Sequence, residues 1–255
     1  MLTKILGNAA ERALEAQVKL AEFVDAASAA PTARSLSKAL SADGLSVIAE
    51  IKRRSPSAGD IDVTLDPVSQ AIKYVAGGAS AISVLTEPDF FGGSLADLES
   101  VRNAVDVPVL RKDFTLDAAQ IWEARACGAD AVLLIVAALS DTLLSELIDV
   151  AADVGVDAIV EAHTGQEVHS ALAAGARIVG VNNRDLATFT TDLSVAESVA
   201  ELLPSDVVTI AESGVSDVEG ACRMRDAGYD AILVGEALVR SENPAAFVAA
   251  LKGER

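Results

Sequence analysis

The chain has 255 residues, with 38 Asp or Glu against 20 Lys or Arg, so its formal charge at pH 7 is −18 and nucleic acid or an anionic membrane surface is a disfavoured partner. Hydrophobic residues make up 51% and aromatics only 4%. That composition excludes global disorder and leaves Ala, Val, Ile and Leu to fill a large core.

No apolar run approaches the roughly 20 residues that cross a bilayer, and the start MLTKILGNAAERALEAQ is too charged for a secretory signal. A cytoplasmic protein is expected. Cys127 and Cys222 have no CxxC or Cys/His partner in the sequence, so neither a disulfide framework nor a zinc site is indicated. Both read as buried helix residues.

Residues 1–45 read as helix, with Leu14, Val18, Ala21 and Val24 at the spacing of an amphipathic face and Pro31 breaking the pattern. The segment is too short to bury a core of its own and is expected to pack on the remainder of the chain. From residue 46 eight short, mostly β-branched runs appear: 46–51, 81–85, 107–111, 131–135, 157–161, 177–181, 206–212 and 230–235. Helical stretches separate them, several opened by Ser, Asp or Thr, and five connections end in Gly, at Gly78, Gly128, Gly155, Gly175 and Gly228. Strands alternating with helices pair in parallel, and strands buried on both faces read as continuous apolar runs. The pattern predicts an α/β fold: a closed (β/α)8 TIM barrel over residues 46–255, one domain with residues 1–45 as its N-terminal helical extension. An open doubly wound sheet is the rival, but neither GxGxxG nor GxxxxGK[ST] occurs.

In such a barrel the chemistry lies at the carboxyl ends of the strands. The first strand continues through Glu50 and Lys52, which share parity with Ile48 and should face the mouth; a structural ion pair is the plainer alternative. The third ends Leu110-Arg111-Lys112, with Lys112 inward and Arg111 outward, and the fifth presents Glu161 above Ile159. Each alone could be a solvated strand end. Together the two lysines and two glutamates can tune one another's pKa and supply proton donor and acceptor. The sixth strand offers Asn182 and Arg184, suited to a carboxylate, or simply an Asn-rich turn. Gly214 and Gly235 follow the seventh and eighth strands, where barrels often hold phosphate on backbone N–H groups. Lys52, Arg53, Arg54, Arg111, Lys112 and Arg184 gather at three strand ends and suggest a positive mouth for an anion. His163 and His169 lack a carboxylate pattern typical of a metal site, and Trp122 reads as packing.

The segments IAEIKRRSPSAGDI, ISVLTEPDFFGGS, PVLRKDF, ADAVLLIV, IVEAH, IVGVNNRDL, AESGV and ILVGEAL, taken in order, resemble the indole-3-glycerol phosphate synthase family of tryptophan biosynthesis. The resemblance implies a lyase that closes an indole ring on 1-(2-carboxyphenylamino)-1-deoxyribulose 5-phosphate, releasing CO2 and water with no cofactor and no metal. It implies Lys112 as the acid of ring closure and Glu161 as proton acceptor or donor in dehydration, assisted by Lys52 and Glu50. Asn182, Arg184 and Ser55 fall where the family holds the carboxylate and ribulose hydroxyls. Phe91, Phe114, Leu133 and Leu186 would form the apolar slot, and Lys52, Ser213, Gly214, Gly235 and Glu236 the phosphate site. Glu236 departs from relatives that carry Ser there, so only its backbone N–H is expected to serve. The implied partner is an anionic, phosphorylated small molecule, acted on by a monomer or weak homo-oligomer. The competing readings are a phosphoribosyl isomerase, which would want a Cys or Asp pair at strand ends, and a non-catalytic anion-binding barrel.

Overall fold

The computed structural model describes residues 2–185 and 188–253. Eight parallel strands close into a barrel: β1 (Ser46–Ile51), β2 (Ala81–Leu85), β3 (Val109–Lys112), β4 (Ala131–Ile135), β5 (Asp157–Ala162), β6 (Ile178–Asn182), β7 (Val208–Glu212) and β8 (Ala231–Val234). Each pairs with its sequence neighbours, and β1 closes the ring on β8 with Ile48 opposite Leu233. The (β/α)8 expectation holds, with one addition: a hairpin of Arg54–Ser55 and Gly59–Asp60 in the loop after β1. Among the described residues no helix is long and apolar enough to cross a membrane.

Local chemistry explains the alternation. Asp66, Ser94, Asp117, Ser140, Thr164 and Asp217 each accept a hydrogen bond from a backbone N–H in the first turn of the helix they open. The five expected glycines all adopt positive φ, from 79° at Gly155 to 94° at Gly175 and Gly228, so each helix can stop and turn directly into a strand.

Aliphatic side chains from the strands' outward faces pack against the helices and form the larger core. Inside the barrel, Ile48, Leu110, Ile159 and Ile210 from β1, β3, β5 and β7 are fully buried. Alternate strands thus contribute one four-membered layer. Directly above it, two residues on, stand Glu50, Lys112, Glu161 and Glu212. Leu36 and Leu40 of a short helix (Leu36–Leu40) join the same interior cluster and close its lower end.

The extension folds as helices α1 (Leu2–Val18) and α2 (Leu20–Ala29), and the chain breaks before Pro31 as expected. Its buried face differs from the expected one. Leu14 is 62% and Val18 87% exposed, while Ile5, Ala9, Ala13 and Ala16 are buried. Small alanines let α1 lie close against helix Ala118–Ala126, so bulk is a poor guide to the contact side.

Candidate active site

The four polar residues above the aliphatic layer form the floor of a cavity of about 470 Å³ at the carboxyl ends of the strands. Lys112 stands between two carboxylates from facing strands: its Nζ lies 2.8 Å from Glu161 Oε2 and 2.5 Å from Glu212 Oε2. Asn182 Nδ2 donates to Glu161 Oε1 at 3.1 Å, fixing the second oxygen. Across the floor, Lys52 Nζ donates to Glu50 Oε1 at 2.6 Å. The structural ion pair weighed for Glu50 and Lys52 therefore exists, and it lies inside the mouth.

Two glycines make room for these charges. A Cβ on Gly180 would run into Glu212 Oε1, and one on Gly235 would run into Glu50 Oε1 and come within 3.2 Å of Lys52 Nζ. The glycine after β8 is thus required by the ion pair beside it, independently of any phosphate.

Burial and neighbours set the protonation states. Burial disfavours a charge on Lys112, but Glu161, Glu212 and Glu50 outweigh it and push the ammonium well above the usual lysine range. Glu161 is likewise opposed by burial, yet Lys112, His163 and the hydrogen bonds from Lys112 and Asn182 hold it below the usual carboxylate range. Glu212 is pushed up to about 7, mainly by burial, with Glu161 and Glu50 adding repulsion that Lys112 only partly offsets. Two carboxylates on one ammonium are thereby driven apart, one ionised and one able to carry a proton near neutrality.

Of the expected residues, Ser55, Phe91, Phe114, Leu133, Arg184, Ser213, Gly214, Gly235 and Glu236 all line the same cavity with Glu50, Lys52, Lys112, Glu161 and Asn182. Leu186 lies outside the described residues. Arg184 donates through Nη1 to the Phe189 carbonyl at 2.9 Å, and its backbone N–H donates to Asn182 Oδ1 at 3.0 Å. Ser213 and Gly214 both take positive φ, 61° and 84°, a pairing that turns the chain sharply at the end of β7. Glu236 turns its carboxylate to Arg240 Nε at 3.0 Å.

The expected positive mouth is not formed. Arg53 leaves it to pair with Asp97 at 2.6 Å, Arg54 donates to the carbonyls of Pro88 and Asp89, and Arg111 faces outward to Glu123 at 2.8 Å. The lining then holds Lys52, Lys112, Arg184 and Arg240 against Glu50, Asp113, Glu161, Glu212 and Glu236. Arginines adjacent in sequence to a strand end are absorbed into pinning loops.

Glu212 escapes a reading of the sequence, because it merges with Ser213-Gly214 into what looks like a phosphate turn. Its signal is nevertheless present: β7 contains Ile210-Ala211-Glu212 near its carboxyl end as β1 contains Ile48-Ala49-Glu50 and β5 Ile159-Val160-Glu161. Arg12 of α1 escapes it too. It lies 3.4 Å from Glu87 and 3.0 Å from Asp113, clipping the extension to the loops after β2 and β3, and Ile5 of the same helix lines the cavity.

A closed parallel barrel with a buried lysine-carboxylate cluster under an apolar-walled mouth defines a barrel enzyme of acid-base chemistry. Solved structures with this fold include a 3-hexulose-6-phosphate synthase from Salmonella typhimurium, TM-score 0.67 and 14% identity, covering 82% of this chain and 97% of that one. At that identity the likeness concerns the fold alone. The family model "Indole-3-glycerol phosphate synthase" matches residues 2–251. Proteins of that name from Kineococcus radiotolerans and Leifsonia xyli are 52% and 50% identical, covering 95% and 97% of this chain and 89% and 95% of theirs. One from Arthrobacter sp. is 52% identical over 89% of this chain and 85% of its own length. The chain belongs to the indole-3-glycerol phosphate synthase family.

Proposed function

We propose that the Lys112 cluster is the catalytic centre at which this carboxy-lyase converts 1-(2-carboxyphenylamino)-1-deoxyribulose 5-phosphate to indole-3-glycerol phosphate, CO2 and water. The observation that carries the assignment of roles is one ammonium held between two buried carboxylates at the base of an apolar slot. Phe91, Phe114 and Leu133 take the anthranilate ring, which excludes water from the reacting carbons. Lys52 and the backbone after β7 and β8, at Ser213, Gly214, Gly235 and Glu236, take the phosphate, and Arg184, Asn182 and Ser55 orient the carboxylate and hydroxyls.

Ring closure joins the aromatic carbon bearing the carboxylate to the ketone carbon, and the ketone oxygen gains a proton. Lys112, at the base of the slot between Glu161 and Glu212, is positioned as that acid. Release of CO2 leaves its bonding electron pair to restore the ring. Dehydration then removes hydroxide as water, consuming a proton, and takes one proton from the neighbouring methylene. Glu161 accepts and returns protons in this step, and Glu212, with its carboxyl poised near neutrality, recharges Lys112. Glu50 holds Lys52 in place. One chain supplies each of these groups, which fits a cytoplasmic single-domain enzyme, monomeric or weakly associated and using no cofactor or metal.

The test is fluorescence detection of indole product from the carboxyphenylamino substrate. The wild type should turn over, and Lys112→Met should lose about 10²- to 10⁴-fold in kcat with product affinity kept within about tenfold. Near-normal turnover by Lys112→Met would remove it as the acid.

A further inference from the structure

Two residues past Glu161, and not among the residues that line the cavity, His163 continues a line of polar groups toward solvent. Its Nε2 lies 3.4 Å from Glu161 Oε1, and its Nδ1 lies 3.2 Å from Glu167 Oε2. Glu167 is held by the backbone N–H of His163 at 2.7 Å and its own backbone N–H donates to Thr164, so the carboxylate is fixed at the start of helix Gly165–Ala173. The side chains become more exposed outward: 4% for Glu161, 12% for His163 and 23% for Glu167.

The imidazole is placed for proton exchange rather than for a settled hydrogen bond. Nε2 is buried and has no hydrogen-bond partner, although a carboxylate oxygen is its neighbour. If Nδ1 donates to Glu167, the gap between Nε2 and Oε1 is stable only when it holds a proton, on the ring or on the carboxyl. Otherwise two lone pairs face each other in a buried site. The charged groups around the ring are Glu161, Glu167 and Glu212, and together they raise the ring's affinity for a proton against the opposing effect of burial. Lys112 meets the other carboxylate oxygen of Glu161, Oε2.

The reaction needs such a supply. Substrate carboxylate leaves as neutral CO2 and hydroxide leaves as water, so each turnover consumes one proton net. Bound substrate fills the mouth, the direct route from solvent to the cluster. We propose that His163, with Glu167, is a proton relay that recharges Glu161 from the solvent side of the barrel wall while substrate or product occupies the cavity. A proton bound at Nδ1 beside Glu167 is matched by one released from Nε2 to Glu161 Oε1. The neutral ring left with its proton on Nδ1 is reset when rotation of the side chain brings Nε2 to solvent, where Nε2 takes up a proton as Nδ1 releases one, and no bond between heavy atoms changes. The inference rests on the role given to Glu161 under the proposed function.

The experiment measures kcat and KM from pH 6 to 9 for wild type, His163→Gln, His163→Ala, Glu167→Gln and Glu161→Gln, with and without added imidazole. His163→Gln should lose about 10²-fold in kcat, the low end for a proton-transfer group, with KM within about twofold. The part of the wild-type alkaline decline in kcat that follows the imidazole should be missing in that variant, leaving the limb set by Glu212, and imidazole should restore His163→Ala. Glu167→Gln should move the alkaline limb to lower pH, because the ring loses a charge that holds its proton. A His163→Gln enzyme within twofold of wild type across the range, or a loss in His163→Ala that imidazole leaves untouched, would overturn the relay. Near-normal activity in Glu161→Gln would instead overturn the assignment of Glu161 on which the relay depends.

Discussion

Replacing Glu212 with Gln tests the electrostatics of the cluster through stability. Glu212 is 1% exposed, one oxygen receives Lys112, and Oε1 is buried without a hydrogen-bond partner. Its carboxyl is raised from 4.5 to about 7, chiefly by burial. A shift of that size corresponds to about 3 kcal/mol. Below pH 4.5 the group is protonated in folded and unfolded chains alike and contributes nothing. As pH rises from 4.5 to 7 the unfolded chain releases its proton first, so stability is lost, and above 7 the whole cost is present. Gln has the same shape and no charge at any pH, so the difference in Tm between Glu212→Gln and wild type should shift in the variant's favour from pH 5 to 8. For a chain of this size about 3 kcal/mol is roughly 6–12 °C, most of it within that interval. Thermal unfolding of both proteins at pH 5, 6, 7 and 8 reads it directly. The variant should at the same time lose turnover, since the group proposed to recharge Lys112 is gone. A Tm difference that stays constant over the range, or moves against the variant as pH rises, would refute a carboxyl strained by burial.

The proposed phosphate site predicts that inorganic phosphate stabilises the wild type: at about ten times its Kd the gain is about 1.4 kcal/mol, a Tm rise of roughly 3–6 °C, and Lys52→Gln should show less. Potassium chloride at equal ionic strength is the control, and identical traces would remove the site. The charge of −18 predicts that Tm rises with salt from 0.01 to 0.3 M, as the screening length falls from about 30 Å toward a few ångströms. Because the mouth carries no excess of cations, KM should not rise over the same interval; a Tm that fell on first adding salt, or a KM that climbed steeply, would contradict this charge distribution.

The fold is legible in the sequence because parallel strands buried on both faces must be apolar throughout, and because Gly in positive φ ends one helix after another at a fixed place before the next strand. The polar layer above the aliphatic one is legible for the same geometric reason. Period two along β1, β3 and β5 puts an inward Ile or Leu beneath an inward charge, and a packed interior would not choose Glu50, Lys112 or Glu161 there without a use for them. Glu212 obeys that rule as well and is hidden only by the turn residues after it. The illegible part depends on contacts between distant segments. Nothing local in Arg53 and Arg54 distinguishes a substrate-facing cation from one that pins a loop to Asp97 or to the carbonyls of Pro88 and Asp89. Nothing local in α1 tells that its alanine side meets the barrel while Leu14 and Val18 face water, since close approach favours small side chains and hydrophobic spacing reports only bulk. The same limit applies to His163. In sequence it is a histidine two residues past a strand-end glutamate, and only the fold places Nε2 against Glu161 on one side and Nδ1 against Glu167 on the other. Periodicity therefore reveals which side chains enter the barrel. How those charges are compensated, and by what route a proton reaches them, is decided by pairings that the closed barrel alone brings about.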